Sequence, residues 1–430
     1  MTPGMLRASC LILFLLSMSG CGGEPAHAVA AAPAAAAAGE PVYTSADVPW
    51  WRGAKRDGIY DVGDIPLRWS PTENVVWKAA IPGRGHSTPC VWGPYVFVTT
   101  ADEEAQTKSL LCFDRETGEK RWEHLLHEGG FMHIHKKNSQ ASATPACDGT
   151  RVIVPMMADD GIWVSAVSLD GKRLWQVKAG SYKSEHGYGS SPVFYQSLVI
   201  VSGDNPGDAY IVALDRATGK EVWRIERPSG GNYSTPIVAT LAGKPQLVLH
   251  GRDQVASCDP ATGKQLWQCE GPCTVAACTV AYDDKHVFAS GGYPQKEIIC
   301  VKADGSGDVT ESHIVWRSKR GVCYVPSPLL YDGRLYVMAD NGVLTVYDPA
   351  TGDVKSTTRL GGNFSASPIA AAEHIFITDE RGKTYVLKPG DKPEIVAENS
   401  LESGGFASPV MAGNRIYLRT ADALYCLGQK

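Results

Sequence analysis

The residues with the clearest chemical potential are histidines and polar neighbours that precede three successive Thr-Pro or Ser-Pro dipeptides. Imidazole nitrogens bind divalent metals, and imidazoles beside cationic side chains favour anions. The pattern predicts a pocket for an anionic small molecule, a peptide carboxylate or a divalent metal; alternatively, these side chains only hydrogen-bond to loop backbone. The candidates are Arg84, His86, His133, His135, Lys136, His186 and Tyr188.

Aromatic side chains stand at the corresponding positions further along the chain. They would give the rest of the pocket a polar-aromatic surface on which a ligand such as a glycan could stack. Two of the histidines, His133 and His135, would share one face of an extended segment and form a weak candidate for a metal pair. The aromatic candidates are Tyr233, Tyr324, Phe364 and Phe406.

A repeated phrase shows which elements carry these residues. Asp-x-x-Thr-Gly occurs at residues 114–118, 215–219, 259–263 and 348–352, and in the first three copies Trp follows the Gly by four positions. Asp can hydrogen-bond to the turn backbone and Gly accepts the positive φ of a short loop, so each phrase predicts a hairpin between two strands.

A second phrase, a small residue followed by Pro, gives the period of the repeat. The phrase marks the beginning of eight repeats, spaced about 46 residues apart, and this spacing is typical of a propeller blade of four short strands. In one of them Ala277-Cys278-Thr279 replaces the phrase, with Thr279 where Pro is expected. The other starts are at Pro89, Pro145, Pro192, Pro236, Pro328, Pro368 and Pro409.

The two ends of the chain predict how the ring closes. The segment after Ser408 has room for three strands, whereas residues 74–81 form a Trp strand without a blade of its own. We therefore predict an all-β, eight-bladed β-propeller of four-stranded antiparallel blades, with the last blade closed by the N-terminal strand. Seven blades is the alternative count. In either ring the loops before the innermost strands meet at one mouth of the central channel, together with the candidate residues.

Composition agrees with this fold and excludes two classes of protein. Hydrophobic residues make up 43% of the chain, enough to bury a full core, which excludes wholesale disorder. The formal net charge is −5 and no long basic stripe is present, so nucleic acid is not an expected partner.

The N-terminal residues predict a targeting signal that is separate from the folded domain. Residues 1–20 combine Arg7, a short apolar run and small residues before Cys21, which resembles a bacterial lipoprotein signal. The resemblance implies that Cys21 is acylated and anchors the protein to a membrane; ordinary secretion is the alternative. Residues 21–45 are then an Ala-rich tether, and residues 46–430 the propeller.

The repeat unit resembles the tryptophan-docking repeats of the pyrroloquinoline quinone (PQQ)-type β-propeller superfamily, and the lead-in from Trp50 to Gly58 is similar too. The lipid signal favours its non-enzymatic lipoprotein branch, which includes the lipoprotein of outer-membrane β-barrel assembly, over the quinoprotein dehydrogenases. The resemblance also implies that tryptophans pack between adjacent blades. These are Trp77, Trp122, Trp175, Trp223, Trp267 and Trp316.

The enzyme branch makes demands that this sequence does not meet. By resemblance, its alcohol dehydrogenases carry a disulfide between adjacent cysteines over the cofactor, and a Ca²⁺ site of Glu and Asn beside a catalytic Asp. No two cysteines are adjacent here, and we identify no such Ca²⁺ group. Neither PQQ nor another cofactor is therefore expected.

Ten cysteines lie in the propeller region, and we expect most of them to be small buried packing residues. An exported protein meets oxidising conditions, so a local disulfide, Cys269–Cys273 or one involving Cys278, is the alternative for the densest group. The spacing disfavours a zinc site.

These observations predict a membrane-tethered scaffold of the cell envelope that binds an envelope protein or peptide, with outer-membrane protein assembly as the analogue by resemblance. The alternatives are a PQQ- or metal-dependent oxidoreductase with its site at the channel mouth, and capture of a small ligand such as a glycan. In enterobacterial lipoproteins an acidic residue directly after the lipidated cysteine favours retention in the inner membrane. Here that position is Gly22, so we expect the periplasmic face of the outer membrane rather than the inner membrane.

Overall fold

The computed structural model describes residues 39–429. In this range the chain forms eight sheets, arranged as the blades of a closed propeller, and a single one-turn helix. The prediction of an all-β, eight-bladed propeller is confirmed, and the alternative of seven blades is excluded. Residues 1–38, which include the signal segment, Cys21 and most of the tether, lie outside the described residues.

Two short strands precede the first blade, and blades 1 to 4 then follow in chain order, each from its innermost to its outermost strand. These elements are β1 (Ile59–Tyr60) and β2 (Val75–Ala80); blade 1, β3 (Cys90–Trp92), β4 (Tyr95–Asp102), β5 (Thr107–Asp114) and β6 (Lys120–Glu128); blade 2, β7 (Ala146–Cys147), β8 (Arg151–Ala158), β9 (Gly161–Ser168) and β10 (Arg173–Ser181); blade 3, β11 (Val193–Tyr195), β12 (Leu198–Ser202), β13 (Ala209–Asp215) and β14 (Glu221–Arg227); blade 4, β15 (Ile237–Leu241), β16 (Lys244–Gly251), β17 (Gln254–Cys258) and β18 (Gln265–Glu270).

Blades 5 to 8 repeat this order, with one insertion in blade 5 before its outermost strand. These elements are blade 5, β19 (Ala281–Tyr282), β20 (His286–Gly291), β21 (Glu297–Lys302), the inserted β22 (Gly307–Asp308) and α1 (Thr310–His313), and β23 (Ile314–Ser318); blade 6, β24 (Leu329–Tyr331), β25 (Arg334–Met338), β26 (Val343–Tyr347) and β27 (Val354–Arg359); blade 7, β28 (Ile369–Ala371), β29 (His374–Thr378), β30 (Lys383–Lys388) and β31 (Glu394–Ser400); blade 8, β32 (Val410–Ala412), β33 (Arg415–Arg419) and β34 (Ala423–Leu427).

Blade 8 combines strands from both ends of the chain. Its outermost strand is β2, which pairs antiparallel with β34 so that Trp77 lies opposite Cys426 and Ala79 opposite Leu424. The N-terminal strand therefore closes the last blade, as predicted. Because the strand comes from the far end of the sequence, the ring is held shut by a full set of ladder hydrogen bonds.

The apolar core lies between neighbouring blades. In one cluster Phe97 and Leu110 of blade 1 pack with Val152 and Val154 of blade 2. The middle strands of each blade are covered on both faces, which explains why they read as nearly continuous apolar runs in the sequence.

Indole rings join neighbouring blades at the Thr-Gly turns. Trp77 lies against Gly118 in the turn of blade 1, and its Nε1 donates to the Arg115 carbonyl at 3.0 Å. Gly118 has a φ of +74°, and a Cβ at this position would stand 2.6 Å from the indole, so glycine is required on both counts. The same contact and hydrogen bond recur in three further blades, with Trp122, Trp175 and Trp316.

The remaining two tryptophans depart from this pattern. Trp223 lies against Gly263, but its N–H has no partner within residues 39–429. Trp267 is buried in a cluster shared by blades 4 and 5, yet its N–H donates to Gln246 Oε1 of its own blade at 2.8 Å. The usual turn of the next blade is absent there because β22 occupies that place and pairs with β18.

The start of blade 5 corrects one expectation from the sequence. Thr279 does not occupy the Pro position; its backbone N–H donates to Ser327 Oγ at 2.9 Å, which is the bond made by the residue before Pro in other blades. Val280 directly precedes β19 and therefore takes the place of Pro. The ladder pairs of β19 begin only at Ala281, so Pro is allowed at the preceding position but is not required there.

Residues 47–62, which we call the axial strap, cross the channel where the innermost strands end. The strap begins on blade 1, where Val48 forms an antiparallel bridge with Val91. It then reaches blade 2, where the Pro49 carbonyl accepts a hydrogen bond from the Cys147 N–H at 2.8 Å. It ends on blade 7, where β1 pairs in parallel with β28.

Two arginines extend the contacts of the axial strap. Arg56 Nη2 donates to the Phe194 carbonyl of blade 3, and Arg52 Nη2 donates to the Pro328 carbonyl at the start of blade 6, both at 2.9 Å. Arg52 is only 2% exposed, and burial lowers its pKa. Because these guanidinium groups bind carbonyls of separate blades, the strap ties the ring together across its axis.

Candidate functional site

On the other side of the axial strap the channel opens as a pocket of about 420 Å³, which we call the axial pocket. Trp51 of the strap lines it, and the indole Nε1 donates to Thr279 Oγ1 at 3.0 Å. The walls come from the loops that lead into the innermost strands, together with the loops that join the second and third strands of blades 6 and 7. This is the channel mouth at which the sequence predicts the candidate residues to meet.

Hydroxyl groups, one from each blade, form a ring where the innermost strands begin. In six of the eight steps, the backbone N–H of one ring residue donates to the hydroxyl of the next blade at 2.8–3.1 Å. This hydroxyl ring therefore fastens adjacent blades at the pocket. Its members are Thr88, Thr144, Ser191, Thr235, Thr279, Ser327, Ser367 and Ser408, and all but Ser327 line the axial pocket.

Imidazole and aromatic rings form two arcs of the pocket wall. In the first arc His186 lies between His135 and Tyr233, with ring centroids 5.8 and 5.9 Å apart. In the second arc His86 lies against Phe406 at 4.5 Å. The backbone N–H of His135 donates to the His186 carbonyl, which holds the loop of blade 2 against that of blade 3.

An ion pair crosses the mouth of the pocket. Lys137, from the loop that leads into blade 2, donates to both carboxylate oxygens of Glu380 in blade 7, at 2.8 and 2.9 Å. Ser365 Oγ also donates to Glu380, whose side chain is 14% exposed against 47% for Lys137. The pair narrows the opening, and each charge neutralises the other.

Asp340 gives the pocket a second carboxylate. Its two oxygens accept the backbone N–H groups of Tyr324 and Val325, at 2.9 and 3.2 Å. Burial raises the pKa of Asp340, and it also raises the pKa of the Tyr324 phenol to about 12. Tyr324 therefore faces the pocket as a protonated hydroxyl, which can both donate and accept hydrogen bonds.

His86 is an uncharged member of the wall. Burial, with the nearby charges of Arg419 and Arg84, lowers its pKa to about 3. Arg419 is 2% exposed and donates to Ser87 Oγ at 2.7 Å and to the Thr99 carbonyl at 2.6 Å. The imidazole therefore lines the pocket as a neutral group that can donate or accept a hydrogen bond.

The structure brings six of the eleven candidate residues into the axial pocket. The lining candidates are His86, His135, His186, Tyr233, Tyr324 and Phe406. Arg84, His133 and Lys136 belong to the same loops but do not line the pocket. The Arg84 guanidinium donates to the Lys136 carbonyl, and His133 accepts a hydrogen bond from Ser184 through its backbone carbonyl.

Tyr188 and Phe364 lie in the core rather than at the mouth, which corrects their predicted position. Tyr188 is 5% exposed and donates to the Ser202 carbonyl at 3.0 Å, whereas Phe364 is 1% exposed and packs against Tyr385. Both stand three residues before a hydroxyl of the ring, a position at which Tyr324 is the one candidate that lines the pocket. Alternate residues of an extended segment face the same side, so the position two residues before the ring hydroxyl lines the pocket instead. Its occupants are His86, Ser142, Gly189, Tyr233, Ala277, Val325, Ser365 and Phe406.

Sequence reasoning missed several residues of the pocket. Asp340 and Glu380 come from equivalent loops, each two residues before a Gly, and this repeat was the available signal. Trp51 was recognised only as part of a family-like lead-in, because nothing in its local spacing relates it to the channel axis. The missed residues are Trp51, Lys137, Asn138, Asp340, Glu380 and the hydroxyl ring.

The ten cysteines between residues 90 and 426 are buried and unpaired. The alternative of a disulfide within Cys269, Cys273 and Cys278 is therefore wrong. Cys269 packs in the core shared by blades 4 and 5, whereas Cys278 Sγ donates to the Ser290 carbonyl at 3.1 Å. Burial raises the pKa of Cys273 to about 12, which keeps its thiol protonated.

The pocket residues do not fit a Ca²⁺–quinone site. Asn138, Asp340 and Glu380 are of the types that the resemblance linked to Ca²⁺, and all three line the pocket. Both oxygens of Glu380, however, bind the Lys137 ammonium, and both oxygens of Asp340 accept backbone N–H groups. Over residues 39–429, no group of three His, Cys, Asp or Glu side chains is arranged to hold a metal ion.

In the same range, no helix is long and apolar enough to cross a membrane.

Eight four-stranded blades, indoles docked on turn glycines and a terminal strand that closes the ring define a propeller of the PQQ-like repeat class. The chain belongs to the family described as outer membrane protein assembly factor BamB, which matches residues 68–205, 207–359 and 340–427. No curated protein matches the sequence significantly.

Solved structures share this fold at low sequence identity. BamB from Moraxella catarrhalis superposes with a TM-score of 0.58 at 12% identity, over 82% of this chain and 99% of that one. Quinohemoprotein alcohol dehydrogenase from Comamonas testosteroni superposes with a TM-score of 0.64 at 12% identity, over 90% of this chain and 81% of that one. Identity this low shows the fold alone, which non-enzymatic and enzymatic proteins share.

Proposed function

We propose that this protein is a membrane-tethered scaffold of the cell envelope that binds a partner at the mouth of the axial pocket, in the assembly of outer-membrane proteins. The observation that carries the proposal is a channel with one open end: the axial strap crosses one end, and the pocket opens at the other. Membership of the BamB family supports the assembly role, because that is the role its description names.

The binding surface is preformed. The hydroxyl ring fastens the blades at the pocket, and the indoles fasten them near the periphery. A partner that binds such a surface orders few protein groups, so little of its binding energy is lost as conformational entropy.

The first described residues lie away from the mouth of the pocket. Gly39 and Glu40, where the described chain begins, contact blade 3 through Arg216 and the Gln196 N–H, beside the turn after β11. That turn follows the end of an innermost strand, on the side of the axial strap.

Site-specific photo-crosslinking in intact cells tests the scaffold role. Val325 lines the pocket and is 37% exposed, whereas Val222 is 53% exposed on the outer strand β14. A photoreactive residue at Val325 should give a discrete adduct with an envelope protein, and the same residue at Val222 should not. Equal adducts at both sites, or none at Val325, would contradict the proposal.

An enzymatic role predicts a different result. The purified protein, supplied with PQQ and Ca²⁺, would bind the quinone tightly and reduce a dye in the presence of an alcohol or a sugar. We expect neither, because the pocket carboxylates are already paired with Lys137 and with backbone N–H groups. Substrate-dependent dye reduction would contradict the scaffold proposal and show that the protein is an oxidoreductase.

A further inference from the structure

We infer that the axial pocket binds a neutral saccharide of one or two sugar units. The inference rests on the proposed binding role of the pocket and adds the chemical class of a ligand. Four properties of the pocket support it: a paired lysine, unused hydroxyl donors, aromatic surface and a closed end.

The lysine that lines the pocket already has its counter-charge, and the second carboxylate, Asp340, is held by two backbone N–H groups. The Lys137 ammonium is held by both oxygens of Glu380, and the neighbouring His86 imidazole is neutral. An anionic ligand would have to displace this ion pair or remain without a counter-charge in a half-buried site. A neutral ligand meets no such penalty.

The hydroxyl ring offers hydrogen-bond donors that the protein leaves unused. Thr144, Ser191 and Ser367, for example, each accept a backbone N–H through the hydroxyl oxygen. Within residues 39–429 their own O–H groups donate to nothing, so they are free to donate into the pocket. Tyr324 adds a phenol that can accept as well as donate at the same site. A ligand rich in hydroxyl groups, each both donor and acceptor, matches this mixture.

Aromatic surface lies beside these polar groups. Trp51 lines the pocket at the strap, and Tyr324 and Phe406 line its wall. Sugar rings combine apolar C–H faces with equatorial hydroxyls, so they suit a site in which aromatic and hydroxyl groups alternate. A purely apolar ligand would leave the hydroxyl ring without partners.

The size and the closed end limit the ligand. At about 420 Å³ the pocket lies within the range of small-molecule sites, roughly 300–1,000 Å³. Because Trp51 and the axial strap close one end, a chain cannot thread through the ring. The pocket therefore takes a free mono- or disaccharide, or the terminal unit of a longer glycan.

Calorimetry with the purified full-length protein tests the inference. The probes are glucose, N-acetylglucosamine, their β-1,4-linked dimers and, as an ionic comparison, a lysine-containing tripeptide. We expect saturable one-to-one binding of at least one neutral sugar and none of the tripeptide. Co-sedimentation with isolated cell-wall glycan distinguishes a glycan terminus from a free sugar as the natural source.

Matched variants locate the binding. Tyr324→Ala removes an aromatic side chain from the pocket, whereas Tyr293→Ala removes one that is 63% exposed and does not line it. Affinity should fall about tenfold or more in the first variant and stay unchanged in the second, with melting temperature measured for both. If Tyr324→Ala unfolds the protein, Phe406→Leu serves as the second pocket variant.

Three outcomes overturn the inference. The first is no saturable binding of any neutral sugar up to its solubility limit, and the second is tighter binding of the tripeptide than of any sugar. The third is an equal loss of sugar affinity in the pocket variant and in the control variant. The photo-crosslink at Val325 separates this failure from failure of the scaffold role. If that adduct persists while no sugar binds, the scaffold proposal is still supported and only the inference of a saccharide ligand is overturned.

Discussion

At the scale of single residues, the turn glycines decide how blades dock. Gly118 combines a positive φ with direct contact to the Trp77 indole, whereas Gly93 has a φ of +51° and open space where a Cβ would stand. The two turn glycines therefore separate backbone strain from steric conflict.

Gly118→Ala should lower the free energy of unfolding by about 2–4 kcal/mol, since backbone strain and overpacking add together. Gly93→Ala carries the strain alone and should cost about 1–2 kcal/mol. Urea unfolding followed by tryptophan fluorescence measures both. Equal losses in the two variants would show that the indole contact contributes nothing.

His86 predicts a specific pH dependence. Its pKa is lowered to about 3 in the folded protein from an ordinary value near 6.5, so the unfolded chain takes up the proton first as the pH falls. The free energy of unfolding of the wild type should therefore decrease as the pH falls from about 6.5 towards 3. His86→Gln removes the titrating group and should flatten the decrease between pH 6.5 and about 4. Parallel pH profiles for the two proteins would rule out a buried neutral imidazole.

At the scale of elements, the hydroxyl ring is the inner fastening of the blades. Thr144 Oγ1 accepts the backbone N–H of Thr88 at 3.1 Å, but no backbone N–H in the described chain donates to the hydroxyl of Thr88 itself. The two threonines share a place in the repeat and differ in this single bond.

Thr144→Val should cost about 1–3 kcal/mol of stability, because the Thr88 N–H loses its acceptor in a buried position. Thr88→Val should cost less. Thermal unfolding by circular dichroism, followed at one wavelength for all variants, gives the comparison. A larger loss for Thr88→Val would mean that the inter-blade hydrogen bonds do not stabilise the ring.

The elements were the most predictable level. Turn phrases and Ser-Pro starts indicate the blade count and the closing strand correctly, because they report local backbone requirements that repeat in every blade. The one-residue shift at Thr279 arose where Val280 replaces Pro and removes the marker. At the pocket, the lead-in loops could be located from the sequence, but the facing of each residue depends on strand register at the axis, which placed Tyr188 and Phe364 in the core.

Contacts between distant blades could not be predicted. Lys137 and Glu380 are 243 positions apart, and the geometry of the whole ring brings them together. The same holds for Trp51, which reaches the pocket only because the axial strap crosses the channel. Local patterns carry no information about such pairings, since each residue type is ordinary in its own loop.

At the scale of the whole molecule, the lipidation that we propose for Cys21 would decide where the ring acts. The full-length protein should partition into the membrane fraction and incorporate a labelled fatty acid, because two or three acyl chains anchor a protein stably. Cys21→Ser should move the protein to the soluble fraction without changing its melting temperature, since residue 21 lies outside the propeller. Membrane association that survives the substitution would show that the anchor is elsewhere.

The strand β2 and the axial strap are made first during synthesis, yet their partners include β34, the last strand of the chain, and β28 of blade 7. Both segments therefore lack these late partners until nearly the whole chain has been made. Pairings this distant in sequence form slowly, because the intervening chain has to be ordered before they are gained. Folding of the ring therefore ends when β2 pairs with β34, and until then the last blade lacks its outermost strand.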